Sequence, residues 1–205
     1  NIEQFDNGGP IGRPLGQPAG DSPLFRSPPP DLDTFRVFPN LVDIINNNYP
    51  QREEVLPAYG RNLTFRATVR DKNPLGNLAT WDEIAFNVSP QAGPFLVMEL
   101  NNNVSWKTFE QVEVKWDVAN TSNAPVNCQM VNIKLSLDGG YTYPITLIEN
   151  AFNDGSQTVY VPDAVTNQAR IKVEAANNIF FDISNTNFNI EASNAPTYTV
   201  DIAPD

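Results

Sequence analysis

The stretch "SLDGGYTYP", residues 136–144, gathers groups that could do chemistry: hydroxyls on Ser136 and Thr142, a carboxylate on Asp138, a phenol on Tyr143, and two adjacent glycines, Gly139 and Gly140. A carboxylate ahead of two glycines can hold a cation, anchor a glycan or turn the chain. The flanks favour the turn. "VNIKLSL" alternates apolar and polar residues before it, and "PITLI" follows it, so the stretch falls at the tip of a hairpin. There Asp138 can accept hydrogen bonds from backbone N–H groups, while Gly139 and Gly140 can take positive φ without a Cβ clash.

Other residues are candidates by type alone. Asp71, Asn73, Asp82 and Glu83 lie near the ends of two neighbouring apolar runs and would offer hard oxygen ligands to calcium if they converged, although their spacing matches no fixed calcium loop. Trp81, Trp106 and Trp116 could stack sugar rings if exposed. Trp116 falls on the apolar face of its strand and reads as core, which leaves Trp106, in "NNNVSWKTF", as the expected exposed binding residue. Triplets of the form Asn-x-Ser/Thr begin at Asn62, Asn87, Asn103 and Asn120, as an Asn-rich chain generates freely. Cys128 stands alone, so no internal disulfide forms, and a lone thiol is expected to behave as a small buried hydrophobe. The chain has no His, which removes the Ser-His-Asp triad, the Cys-His pair and zinc motifs such as HExxH.

The string Ser136, Asp138, Gly140, Thr142, Tyr143 resembles the Asp-box of sialidase-type propellers, itself a structural hairpin. It occurs once here, so it implies neither a propeller nor glycosidase activity.

The elements that must position these residues are short strands. Across 205 residues the chain has 18 Pro, 11 Gly and 40% apolar residues, a turn-rich composition with enough apolar surface to fold. Residues 1–58 are crowded with Pro and Gly and should wrap a surface, apart from "TFRVFPN", expected as a short strand, and "LVDIINN", expected as a helical turn. In "LTFRATVR" the residues Leu63, Phe65, Ala67 and Val69 alternate with polar ones, and in "WDEIAFNV" Ile84, Phe86 and Val88 share a face, so the two runs read as an antiparallel hairpin. "VEVKWDV", "VNIKLSL" and "ARIKVEA" repeat the pattern, with "QTVYV", "IFFDI" and "NFNI" between and beyond. The expectation is an all-β chain of two tandem immunoglobulin-like or fibronectin-like antiparallel β-sandwiches: residues 1–91, 92–191, and a linker or tail over 192–205.

Charge narrows the partners. A net charge of −11 and a pI near 4.3 repel phosphate backbones and anionic lipid, so neither nucleic acid nor membrane insertion is expected. The chain opens on Asn1 rather than Met, which suggests a processed product or an excised part of a longer protein.

The run from "VKWDVANTSN" through "SNTNFNI", residues 114–190, resembles the β-sandwich module that follows the catalytic domain in secreted reprolysin-like zinc metallopeptidases of Gram-negative bacteria. "PLFRSPPP", "FRVFPNLVDIINN" and "EVLPAYGRNLTFRATVRDKNP" are similar to the module before it in the same proteins. The family's zinc-binding helix has no counterpart in a chain without His, so no catalytic residue carries over and zinc belongs to the parent's catalytic domain. The resemblance implies a secreted or cell-surface location, with neighbouring domains of the parent and protein substrate as partners. The alternative function is an adhesive or glycan-binding module.

Overall fold

Most alternating runs become strands, and among the described residues one short helix forms. The computed structural model describes residues 1–6, 8–9, 20–30, 32–48, 54–71, 76, 78–98, 100 and 104–193. The chain divides into two compact units, residues 1–95 with 118–127 and residues 96–117 with the segment from 128 onward.

The first unit is built on β1 (Ile2–Gln4), β2 (Arg61–Arg70) and β3 (Ala79–Val88), an antiparallel sheet in the order β1-β2-β3. The register sets Leu63 opposite Phe86 and Phe65 opposite Ile84, so the apolar sets of both long strands share a face. At one end of that face Leu63 and Phe65 are buried with Leu24 and Phe25, and Ile2, Phe38, Phe86 and Val88 pack against them. Phe65 is the hub, with ring centroids of Phe38, Phe86 and Phe25 at 4.5, 5.5 and 5.8 Å. The covering layer among the described residues is the Pro-rich segment rather than paired strands. Proline has no N–H to satisfy, so such a segment can lie on an apolar face with few donors to place. The Gln4 side-chain oxygen meets two that remain, accepting from the amides of Leu24 and Phe25 at 2.6 and 2.9 Å. Arg36 donates to the Ile2 carbonyl and pairs with Glu54. α1 (Leu41–Ile45) starts at Asn40, whose side chain accepts from the Val42 amide at 2.9 Å, an N-cap.

The second unit pairs two sheets. One contains β4 (Leu96–Met98), β6 (Gln111–Asp117) and β9 (Ser156–Tyr160) in the order β4-β6-β9. The other runs β5-β12-β10-β7-β8, formed by β5 (Ser105–Lys107), β12 (Phe188–Glu191), β10 (Thr166–Ala175), β7 (Met130–Ser136) and β8 (Ile145–Phe152), while β11 (Phe181–Ile183) also pairs with β10. All pairs are antiparallel except β5 with β12. Equating β4, β6 and β9 with immunoglobulin strands A, B and E, and β7, β10 and β12 with C, F and G, reproduces the two-sheet order of that fold. Val114, Val131, Ile133, Leu135, Ile171, Val173 and Ala169 are fully inaccessible and form the centre of its core. The chain is thus all-β, with an immunoglobulin-like sandwich in its second unit.

Three local expectations change. "TFRVFPN" forms no strand; Phe38 instead turns its ring into the aromatic cluster. Ile84 and Val69 lie on the apolar face as expected, yet they are 61% and 66% exposed, because the covering cluster packs over Leu63, Phe65, Phe86 and Val88 and includes neither of them. β1, which no long apolar run announces, is an edge strand of three residues. The tail from residue 194 onward, expected as a linker, lies outside the described residues. Among the described residues no helix is long and apolar enough to cross a membrane.

Candidate functional site

Strand β7 ends at Ser136 and β8 begins at Ile145, so "SLDGGYTYP" connects two antiparallel neighbours. Its hydrogen bonds close on themselves. The Ser136 hydroxyl donates to Asp138 Oδ1 at 2.7 Å and accepts from the Gly140 amide at 2.8 Å. Asp138 Oδ1 also accepts from the Thr142 amide at 3.0 Å, and Asp138 Oδ2 from the Thr142 hydroxyl at 2.6 Å. Gly139 and Gly140 adopt φ of +80° and +100°, and the Gly139 amide donates to the Gln168 carbonyl at 2.9 Å, tying the turn to the strand pair beside it. Burial alone would raise the Asp138 carboxyl, but the bonds from the Thr142 hydroxyl and amide, then from Ser136 and the Tyr141 amide, outweigh it and hold the pKa at about 2.

Tyr143 leaves this turn with its ring 4.6 Å below the Lys172 ammonium. Burial pushes its phenol far above the usual range, with the Arg170 charge opposing and nearby carboxylates adding to the rise. A phenol so placed supplies no phenolate near neutral pH. Arg170, 8% exposed on β10, donates from Nε to Asn187 Oδ1 at 2.7 Å and from Nη1 to the Ser184 carbonyl at 3.2 Å. These bonds tie down the connection from β11 to β12 through one side-chain oxygen and one backbone carbonyl. The arrangement gives geometry to a hairpin and exposes no acid–base pair.

Of the oxygen ligands expected for calcium, the three that are described do not converge. Asp82 and Glu83 are consecutive on β3, so their side chains leave opposite faces. Glu83 is engaged by Arg66, and Asp82 Oδ1 accepts from the Glu83 amide at 2.9 Å. Asp71 sits beyond the end of β2, exchanging bonds with the Leu78 backbone at 2.7 and 3.1 Å. Asn73 lies outside the described residues. No group of three or more His, Cys, Asp or Glu able to hold a metal occurs among the described residues.

The tryptophans exchange roles. Trp106, expected to be exposed, is 5% exposed, because β5 pairs with β12 and brings its ring 4.5 Å from Phe188. Trp116 is core, and its indole N–H donates to Asn153 Oδ1 at 2.9 Å. Trp81 is the exposed one, at 57%. A signal for this was present in the sequence: Trp81 is out of phase with Ile84, Phe86 and Val88, so it belongs on the polar face of β3, as Arg66 does on β2. There the Arg66 guanidinium lies 3.4 Å from the Phe5 ring centroid and 4.3 Å from that of Trp81. Cys128 is buried, its thiol donates to the Met130 carbonyl at 3.3 Å, and burial raises its pKa.

No protein-family model matches the chain, and no curated protein matches it. Among solved structures it is similar to a chimeric titin Z1Z2 carrying an exogenous decorin peptide, at 10% identity and a TM-score of 0.28, over 69% of this chain and 65% of that one. It is also similar to titin domains Z1Z2 in complex with telethonin, at 13% identity and a TM-score of 0.26, over 69% and 66%. This chain therefore spans about two thirds of those chains. Likeness this distant carries no functional argument, and the fold assignment stands on strand order.

Proposed function

We propose that the chain is a non-catalytic accessory segment of a secreted zinc metallopeptidase, bracing the catalytic domain or contacting its protein substrate. The observation behind the non-catalytic half is the closed turn at Asp138. The one motif with the composition of a site spends both carboxylate oxygens on its own loop. A chain with no His also lacks the imidazoles of an HExxH zinc site and of the usual general bases. The peptidase parent and the exported location rest on the resemblance over residues 23–30, 35–47, 54–74 and 114–190. In this reading zinc is held by the parent's catalytic domain, and the partners of this segment are that domain and the substrate.

Two observations test it together. The coding sequence adjoining this segment should specify an HExxH motif. The purified 205-residue chain, incubated with zinc and casein, should release no peptides. Absence of the motif would overturn the parent, and casein cleavage with stoichiometric tight zinc would overturn the non-catalytic assignment.

A further inference from the structure

We propose that the outer face of the β1-β2-β3 sheet carries a carbohydrate site, with the Trp81 indole as the platform for a sugar ring and the Arg66–Glu83 pair as its polar rim. Exposure is the first ground. A Trp normally hides most of its ring, as Trp106 and Trp116 do at 5% and 4% exposed, whereas Trp81 leaves 57% open.

Preorganisation is the second. Glu83 Oε1 accepts from Arg66 Nε at 2.9 Å and from Nη2 at 2.6 Å, fixing the guanidinium plane. The guanidinium lies against both Phe5 and Trp81, so a run of ring, guanidinium and ring extends from the residue after β1 across the middle of β2 to β3. An indole held in this way loses little further freedom when a ligand arrives. β3 is the outermost strand of its sheet, which leaves its far side to solvent among the described residues.

The mixed chemistry of the face is the third ground, and it selects the occupant. A pyranose has an apolar face of C–H bonds to lay on a ring and a rim of hydroxyls to pair with charged groups. The Glu83 Oε2 oxygen takes neither of the two Arg66 bonds, and a carboxylate oxygen is an acceptor for such hydroxyls. An apolar protein surface would have to strip water from the Arg66–Glu83 pair without replacing its bonds. A nucleic acid could stack on the same ring but would bring phosphates to a chain of net charge −11. A neutral oligosaccharide meets neither penalty. The site does not depend on the peptidase reading: it would tether such a segment to polysaccharide, and it would equally equip an adhesive module.

The test titrates the whole 205-residue chain with cellohexaose, xylohexaose, mannohexaose and chitohexaose, by calorimetry and by indole fluorescence. At least one hexaose should bind and shift the emission to the blue. Trp81→Ala should weaken that binding roughly tenfold or more, Trp81→Tyr should retain part of it, and Glu83→Gln should weaken it with the melting temperature unchanged. Failure of all four sugars to bind would overturn the site. Binding that survives Trp81→Ala and Trp81→Tyr undiminished would do so as well, as would a surface at Trp81 that takes up only nucleotides or a protein.

Discussion

Asp138 stabilises its turn only while ionised, which makes its contribution measurable through pH. Its folded pKa, about 2, lies below the ordinary aspartate value, so the contribution is present above about pH 4 and is lost as pH falls toward 2. Asp138→Ala removes the acceptor of two Thr142 bonds and one Ser136 bond and should cost about 1–3 kcal/mol at pH 7. In chemical denaturation that deficit should shrink as pH is lowered toward 2; a constant deficit would show that the carboxylate is not the cause. Gly140→Ala should cost about 1 kcal/mol or more through its positive φ at all pH values. Asp182 gives the opposite sign. Burial raises its pKa even though it accepts from the Val97 amide at 2.7 Å, so stability is lost as pH rises from the ordinary aspartate range through the raised value, and the cost is complete above it. Asp182→Asn keeps an acceptor without the charge and should match or exceed the wild-type melting temperature at pH 7, the advantage vanishing at acid pH. The turn was legible in the sequence because Ser-x-Asp-Gly-Gly acts on its own backbone. The burial of Trp106 was not, because it depends on β5 finding β12 from the far end of the sandwich.

At the scale of elements, period told which residues share a face but not whether anything covers it. Phe65 and Ile84 sit opposite each other on the apolar side of β2 and β3, yet one is 4% exposed and the other 61%. Phe65→Ala should therefore cost about 3–5 kcal/mol, as emptying a core aromatic site does, whereas Ile84→Ala should cost less than about 1 kcal/mol. Equal costs in urea titration would mean that Ile84 is covered in solution. In the second unit the same alternation does end in burial: Ala169, Ile171, Val173 and Ala175 are all buried on β10. The difference is physical: β10 lies inside its sheet with an opposing sheet over it, while β3 is an edge strand. The same edge position frees Trp81, whose outward phase the sequence already contained.

For the whole molecule, a linear reading places the boundary between the two β domains at residues 91 and 92, but contiguous sequence and compact structure are not the same thing. Residues 118–127 belong to the first unit, where the Gly93 amide donates to the Ala119 carbonyl at 2.8 Å and the Asn120 side chain to the Gln91 carbonyl at 2.9 Å. No alternation marks that return, because the segment is a loop rather than a strand. The accessory role, in turn, is a claim about the full-length gene product. The most direct measurement compares the zinc-dependent kcat/KM of that product with and without residues 1–205, on a folded protein substrate and on a short peptide. An accessory segment predicts a loss on the protein substrate with the peptide rate retained, or a loss of both that tracks a lower melting temperature of the catalytic domain. Unchanged kcat/KM on both substrates with an unchanged melting temperature, or a full-length product without zinc-dependent proteolysis, would contradict it.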